Sequence, residues 1–378
     1  MDKHLHIISL DVPYPANYGG VYDLFYKLPA LQSQGVKIIL HCFDNGRGQQ
    51  PELNKYCERV YYYPRNTGHK GFTFSLPYIV SSRNDETLLQ NLLKDEYPIF
   101  MEGIHCTYPA IDHRFNGRKK FVRIHNVEHS YYQRLYSCSH NLFNKAYYRW
   151  ESNRLFQYER ALVNKATAFW AVTEKDTQYF RDHFDCKTID YLPLFIPPWE
   201  VRCQAGMGTY CLYHGDLSVA SNDEAAKWLL QHVFGKLQIP FVVAGKNPSA
   251  ALEKIAHQNM HTCLVANPSE MEMQDMIAKA QINILPSFNN TGIQIKLLNA
   301  LFNGRHCLVN KNMVAGTGLE ELCVVAETAE SFSNIVAQMF HQKITDDEIE
   351  ARKSILEFHF NNEKGAKQML HWIWEQYK

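Results

Sequence analysis

The side chains with the greatest chemical reach in this sequence are lysines that follow glycine turns. In the run Thr291-Gly292-Ile293-Gln294-Ile295-Lys296-Leu297-Leu298-Asn299-Ala300-Leu301-Phe302-Asn303-Gly304, Ile295, Leu298, Leu301 and Phe302 recur at helical spacing and Gly304 supplies a stop. Thr291 and Gly292 are therefore expected at or just before a helix N-terminus. Unpaired N–H groups and the helix dipole attract anions there, and Lys296, about one turn inside, adds a full positive charge. An ordinary βα unit whose threonine merely caps the helix fits the same pattern, and local pattern alone favours it. Lys246 repeats the theme after the apolar run 241–244 and Gly245, and Gly215 follows the run 210–214. A diphosphate is the ligand such a set would suit.

A second concentration of reactive types lies at Arg123-Ile124-His125-Asn126-Val127-Glu128-His129, directly after an apolar run. His125 can donate to a sugar hydroxyl or phosphate, and Glu128 can bind hydroxyls or act as a base. Against this, His125 can be a satisfied loop histidine and Glu128 a helix N-terminal charge. Gly19 and Gly20 close a loop over residues 13–20 and let a backbone approach a ligand at the end of the first strand. The spacing is not G-x-G-x-x-G, so the dinucleotide fingerprint is absent, and a purely structural turn is an equal reading.

The elements that must position these residues alternate strand and helix. Strands are expected over 6–10, 36–43, 60–63, 99–101, 121–124, 169–172 and 189–192, with a helix whose apolar positions are Val21, Leu24, Phe25, Leu28 and Leu31. A helical pattern over 142–164 carries Phe143, Tyr147, Tyr148, Trp150, Phe156 and Tyr158 between arginines. It suits a membrane surface or an acceptor, but the favoured expectation is a core stripe with a wet basic face. Proline and glycine cluster over 193–208, and a second strand–helix series begins at residue 210. The end of the chain is long enough to pack back on the first half.

Composition narrows the partners. With 378 residues, two domains are expected, and 39 basic against 39 acidic residues provide no net field for nucleic acid. The 22 tyrosines, 21 phenylalanines and 6 tryptophans suit carbohydrate contact as well as a core. None of the ten cysteines forms a C-x-x-C pair, and no signal-type h-region or bilayer-length run is present, so a cytoplasmic protein is expected. No carboxylate cluster of the D-x-D kind argues for a metal.

Taken in order, these motifs resemble the GT-B glycosyltransferases, in particular the retaining glycosyl transferase group 1 superfamily. The resemblance spans nearly the whole chain. It rests on Gly19-Gly20, His125-Asn126-Val127-Glu128, Tyr213-His214-Gly215-Asp216-Leu217, Val243-Ala244-Gly245-Lys246, and Pro286-Ser287 leading through Lys296 to Asn299-Ala300-Leu301 and Gly304. The family's E-x7-E pair is replaced by Thr291 and Asn299. The Arg and Lys of its G-R-L-x-x-x-K-G segment are replaced by Asp216 and by Ser221 or Asn222.

The resemblance implies an α/β GT-B fold of two Rossmann-like domains facing each other across a cleft, with a C-terminal helix packing on the first. The expected bounds are 1–198 plus 362–378 for the acceptor-side domain and 199–361 for the nucleotide-sugar domain. It also implies a nucleotide diphosphate sugar as donor and a saccharide or lipid-linked saccharide as acceptor, with retention, no cofactor and no metal. Lys246 and Lys296 are then expected at the diphosphate, Gly215 beside it, Asn299 at the ribose, and Thr291 and Gly292 near the donor sugar. His125 is expected to face that sugar, with Gly19, Gly20, Asn126 and Glu128 binding substrate. A weak peripheral contact with the inner membrane face stays open, as do a non-catalytic sugar-nucleotide binder and a nucleotide-sugar epimerase.

Overall fold

Apolar runs separated by helical patterns commit a chain to parallel sheets, because each crossover must return over a sheet face. The computed structural model describes every residue except Met1, Asn17, Tyr18, His140, Asn289, Asn290, Thr291 and Lys378. Among the described residues the strands form two all-parallel sheets. The first contains β1 (Lys3–Ser9), β2 (Val36–Asp44), β3 (Arg59–Pro64), β4 (Ile99–Glu102), β5 (Lys120–Ile124), β6 (Ala168–Ala171) and β7 (Ile189–Tyr191), in the order β3-β2-β1-β4-β5-β6-β7. The second contains β8 (Cys211–Asp216), β9 (Phe241–Lys246), β10 (Thr262–Ala266), β11 (Ile282–Leu285), β12 (His306–Val309) and β13 (Val324–Val325), in the order β10-β9-β8-β11-β12-β13. The helices that bear on function are α1 (Gly19–Ser33), α2 (Glu128–Cys138), α3 (Leu142–Leu162), α4 (Ala220–Trp228), α5 (Ile295–Asn303) and α6 (Asn362–His371).

The chain divides into two compact units, Met1–Pro197 with Phe360–Lys378, and Pro198–His359. In each sheet the strand order reverses beside the first strand, between β1 and β4 in unit 1 and between β8 and β11 in unit 2. Crossovers diverge at such a point and leave a crevice at the carboxyl ends of the strands, where open α/β sheets bind ligands. The fold thus selects two places before any side chain is considered.

In unit 1, period-two alternation splits the central strands between two cores. Leu5, Ile7, Phe100, Phe121 and Trp170 face one, and Ile8, Met101, Val122 and Phe169 the other. The first core also takes Leu24 and Leu28 of α1, Ala366 and Met369 of α6, and Trp372, which stacks on Trp170 at 5.1 Å between ring centres. The C-terminal helix therefore packs on unit 1 against α1, as expected. A Cβ on Gly365 would come within 3.1 Å of the Phe195 ring, so a larger residue there would press on that ring.

Two local expectations are corrected. Gly19 and Gly20 are the first residues of α1 rather than the end of a loop. In α3 the buried residues begin only at Glu151, so the aromatic stripe is not all core. Tyr158 is 8% exposed, whereas Tyr147 and Trp150 are each 36% exposed and Phe143 is 87% exposed. The helix runs past the body of the unit, and only its second half has a core to enter.

Candidate functional site

The reversal point of unit 2 brings Lys296 to the end of β8. Helix α5 starts at Ile295, so Lys296 is its second residue rather than one turn in, and three residues separate Lys296 from Gly292, whose φ is +66°. Thr291 lies outside the described residues. Among the described residues no side chain caps this terminus: the side chain of the N-cap residue, Gln294, turns to the Ser287 hydroxyl. Ser287 is held in turn by Asn310, whose amide accepts from the Ser287 N–H at 2.9 Å and donates to its carbonyl at 2.8 Å. Ser287 is thereby fixed, and in the first turn the Leu297 N–H is taken by the Gln294 carbonyl at 2.9 Å, while the positive end of the helix dipole lies at Ile295 and Lys296.

Lys296 Nζ donates to Asn222 Oδ1 of α4 at 2.9 Å and to the Tyr213 hydroxyl at 3.2 Å, and it lies 4.8 Å from the centre of the Tyr213 ring. Among the described residues no carboxylate pairs with it. Burial without a counter-ion pulls its pKa from 10.5 down to about 7. Beside it His214 is 3% exposed, and its Nε2 has no hydrogen-bond partner among the described residues. Burial first and the Lys296 charge second push this imidazole down to about 3, so it is neutral. A buried amine without a carboxylate partner, an imidazole nitrogen without a partner among the described residues and a helix N-terminus are groups whose chemistry suits an anion.

The other expected residues of unit 2 are spread around this point. Gly215 abuts Asn222, whose side-chain amide nitrogen would be 3.3 Å from an added Cβ. A Cβ on Gly245 would lie 2.0 Å from the Gly215 carbonyl oxygen, so that glycine is required by the closeness of β8 and β9. Lys246 is exposed at the end of β9, and β9 and β11 flank β8, so the two lysines rise on opposite sides of that strand and no bond links them. Asn299 accepts from the Asn303 amide at 2.8 Å within α5, which occupies one of its lone pairs.

At the reversal point of unit 1 the sequence buries four charges that pattern reading passed over. Strand register sets Phe100 against Phe121 and Glu102 against Arg123, so the charged pair continues the face that α1 covers. Asp23 of α1 takes Arg123 Nε at 2.9 Å and Nη2 at 3.2 Å, and Lys27, one turn on, bonds both Asp23 at 2.9 Å and Glu102. Arg123 also donates to the Leu192 and Pro193 carbonyls, at 2.7 and 2.9 Å. Burial would raise the Asp23 carboxyl, but Arg123 and Lys27 hold it well below the usual range; Glu102, also buried, is held down by Lys27 and His125. The signal in the sequence was Arg123 inside the apolar strand 121–124 and Asp23 with Lys27 at i, i+4 on the core side of α1.

This lattice orients His125, whose Nε2 lies 3.0 Å from Glu102 Oε2, and Gly103 follows the end of β4 with φ +83°. Asp23, Glu102 and His125 place one ligand atom each within 4.8 Å of one another, the geometry of a cation site. Lys27 and Arg123 already supply two positive charges to those carboxylates, so a metal would have to displace them. The residues fit an ion-pair lattice better than a metal centre.

Glu128 opens α2 at 4% exposure. The Glu159 carboxylate caps the same helix, accepting from the Glu128 N–H at 2.8 Å, and His129 Nδ1 lies 2.7 Å from it. Burial and then the Glu159 charge push Glu128 up to about 8, only partly offset by a bond from Asn126. At neutral pH this carboxyl therefore holds its proton. In that form it can donate to a hydroxyl, and it stands in the first turn of α2 as a helix-terminal residue. At Gly19 an added Cβ would meet nothing within 4 Å, so space in the fold does not explain that glycine.

No family model matches the chain. A glycosyltransferase from Rickettsia africae superposes with a TM-score of 0.66 at 12% identity, covering 100% of this chain and 99% of its own. HepE of Anabaena, solved with UDP and glucose, gives 0.63 at 11% identity over 98% and 99% of the two chains. A mutant of S. aureus TarM, in complex with Fondaparinux, alpha-GlcNAc-glycerol and UDP, gives 0.66 at 10% identity over 99% and 100%. The fold is GT-B. Its two parallel sheets and returning C-terminal helix are therefore those of the GT-B glycosyltransferases. By sequence, an uncharacterized 44.6 kDa protein in a cps region of Klebsiella pneumoniae is 25% identical over 333 residues, 82% of this chain and 84% of that protein. Among the described residues no helix is long and apolar enough to cross a membrane.

Proposed function

We propose that this protein transfers a sugar from a nucleoside diphosphate sugar to a hydroxyl of a saccharide or lipid-linked saccharide, with retention at the anomeric carbon. One observation carries the reading. The resemblance calls for a lysine at position 221 or 222, where this chain has Ser221 and Asn222, yet the Lys296 ammonium reaches 2.9 Å from the Asn222 amide oxygen. A positive charge is thus delivered to that place from α5 instead of α4. As the bond between C1 and the diphosphate oxygen lengthens, negative charge grows on that oxygen, and Lys296 with the first N–H groups of α5 meets it. Lys246 is assigned as a second cation, Gly215 as the close backbone neighbour, Asn299 to the ribose, and Thr291 and Gly292 to the donor sugar.

In unit 1, His125 is assigned to a sugar hydroxyl, with its ring set by Glu102, and Asn126, Gly19 and Gly20 line the same strand ends. Glu128 is assigned as a hydroxyl-binding acid. UDP in the HepE and TarM complexes supports a nucleoside diphosphate leaving group. The cps region of the Klebsiella relative supports a capsule polysaccharide as the product. Incubating the protein with a panel of labelled nucleotide sugars, with and without saccharide acceptors, tests the reading. Acceptor-dependent release of nucleoside diphosphate is expected. Epimer formation, or binding without any product, would replace it by one of the two alternatives.

A further inference from the structure

The hairpin of α2 and α3 stands out from unit 1. Helix α2 buries only Glu128 and His129, and α3 buries nothing before Glu151, so over most of their length the two helices pack on each other. Asn141 caps α3, accepting from the Phe143 and Asn144 N–H groups at 2.9 and 3.2 Å, and the turn it starts presents Leu142 at 79% and Phe143 at 87% exposure. Phe143, Tyr147, Trp150 and Arg154 recur at helical spacing and form one face. Phe72 stacks on Trp150 at 5.7 Å, Phe74 stands edge-on to Phe72 at 5.1 Å with 89% exposure, and the Arg154 guanidinium lies 4.1 Å from the Trp150 ring centre. Exposed apolar side chains gathered along one helix face mark an interaction surface.

Charge names the partner. Residues 65–81 and 129–158, which build this face, carry Arg65, Lys70, Arg134, Lys145, Arg149 and Arg154 against a single carboxylate, Glu151, which is wholly buried. The chain as a whole is balanced at 39 to 39, so the excess is local. Lys145 and Arg149 lie over the Tyr136 ring, at 5.7 and 5.9 Å. Cations that flank aromatic rings with polar tips, around two nearly bare apolar side chains, match the boundary between anionic headgroups and acyl chains.

We infer that the α2–α3 hairpin, with the strand-to-helix segment bearing Phe72 and Phe74, docks unit 1 on an anionic phospholipid bilayer. Leu142 and Phe143 enter the acyl boundary and the lysines and arginines meet the headgroups. The inference does not rest on sugar transfer. Its test is sedimentation of the full chain with phosphatidylcholine vesicles, with and without phosphatidylglycerol. Binding is expected only to the anionic vesicles and should weaken as salt rises. Replacing Leu142 and Phe143 together by serine should reduce binding at least about tenfold. Lys145→Glu with Arg149→Glu should cost about fivefold or more per cation. The melting temperature should hold in the serine variant, because both side chains are already in water. Equal binding to neutral vesicles, no binding to either, or self-association of the wild type that these substitutions abolish would overturn the inference.

Discussion

On the proposed function, the state of Lys296 would make nucleotide binding a proton-uptake reaction. In the free protein, burial without a counter-charge brings this amine to about pKa 7, a drop from 10.5 that corresponds to on the order of 5 kcal/mol against the charged form. A diphosphate at the α5 terminus supplies the missing charge, so the ammonium returns toward its ordinary range when the ligand binds. Calorimetric titration with UDP at about pH 8.5, repeated in buffers of different ionisation enthalpy, should then show uptake of about one proton per nucleotide. Affinity should fall by about tenfold per pH unit as pH rises above 7. Lys296→Met keeps most of the stem and removes the charge, so uptake should vanish and affinity should lose its pH slope. The free protein carries the same sign. Between pH 7 and 10.5 the unfolded chain binds the proton that the folded chain does not, so this residue makes stability rise with pH across that window, and Lys296→Met removes the rise. Nucleotide binding with no proton exchange from pH 7 to 9 would refute the reasoning.

Three further outcomes follow from the buried groups. Glu128 is raised to about 8 in the fold, so the folded chain holds a proton that the unfolded chain releases above its ordinary carboxyl range, and stability should fall as pH rises from about 4.5 to 8. Glu128→Gln should flatten that slope and raise stability by about 1–3 kcal/mol at pH 8, with no gain at pH 4, measured by urea unfolding. Arg123→Met leaves the buried Asp23 without its two-pronged partner and should cost about 3–5 kcal/mol, whereas the double change Asp23→Leu with Arg123→Met should recover part of the loss; a double variant no better than the single would count against the lattice. Trp372→Ala removes the ring stacked on Trp170 and should cost about 3–5 kcal/mol in unit 1, read as loss of amide protection in β1, β5 and β6 while β8 and β11 keep theirs.

Much of the architecture was legible along the chain because strand and helix periodicity are local properties. The runs that became β1, β5 and β9 could be read from spacing alone, and the returning C-terminal helix from the resemblance. Lys296 was legible as a cation beside a helix start, although its turn was misplaced, since a helix boundary depends on which N–H groups find partners. What no window of sequence contains is who buries a charge. Arg123 and Glu102 looked like strand residues until register set them side by side and α1 laid Asp23 and Lys27 over them. Glu128 is pushed up first by burial under the fold and then by the charge of Glu159, which arrives from another helix. The aromatic stripe of α3 is one pattern in sequence and two environments in space, because a sheet lies under its second half and not under its first. Electrostatics and burial depend on neighbours distant in the chain, and tertiary structure alone supplies them.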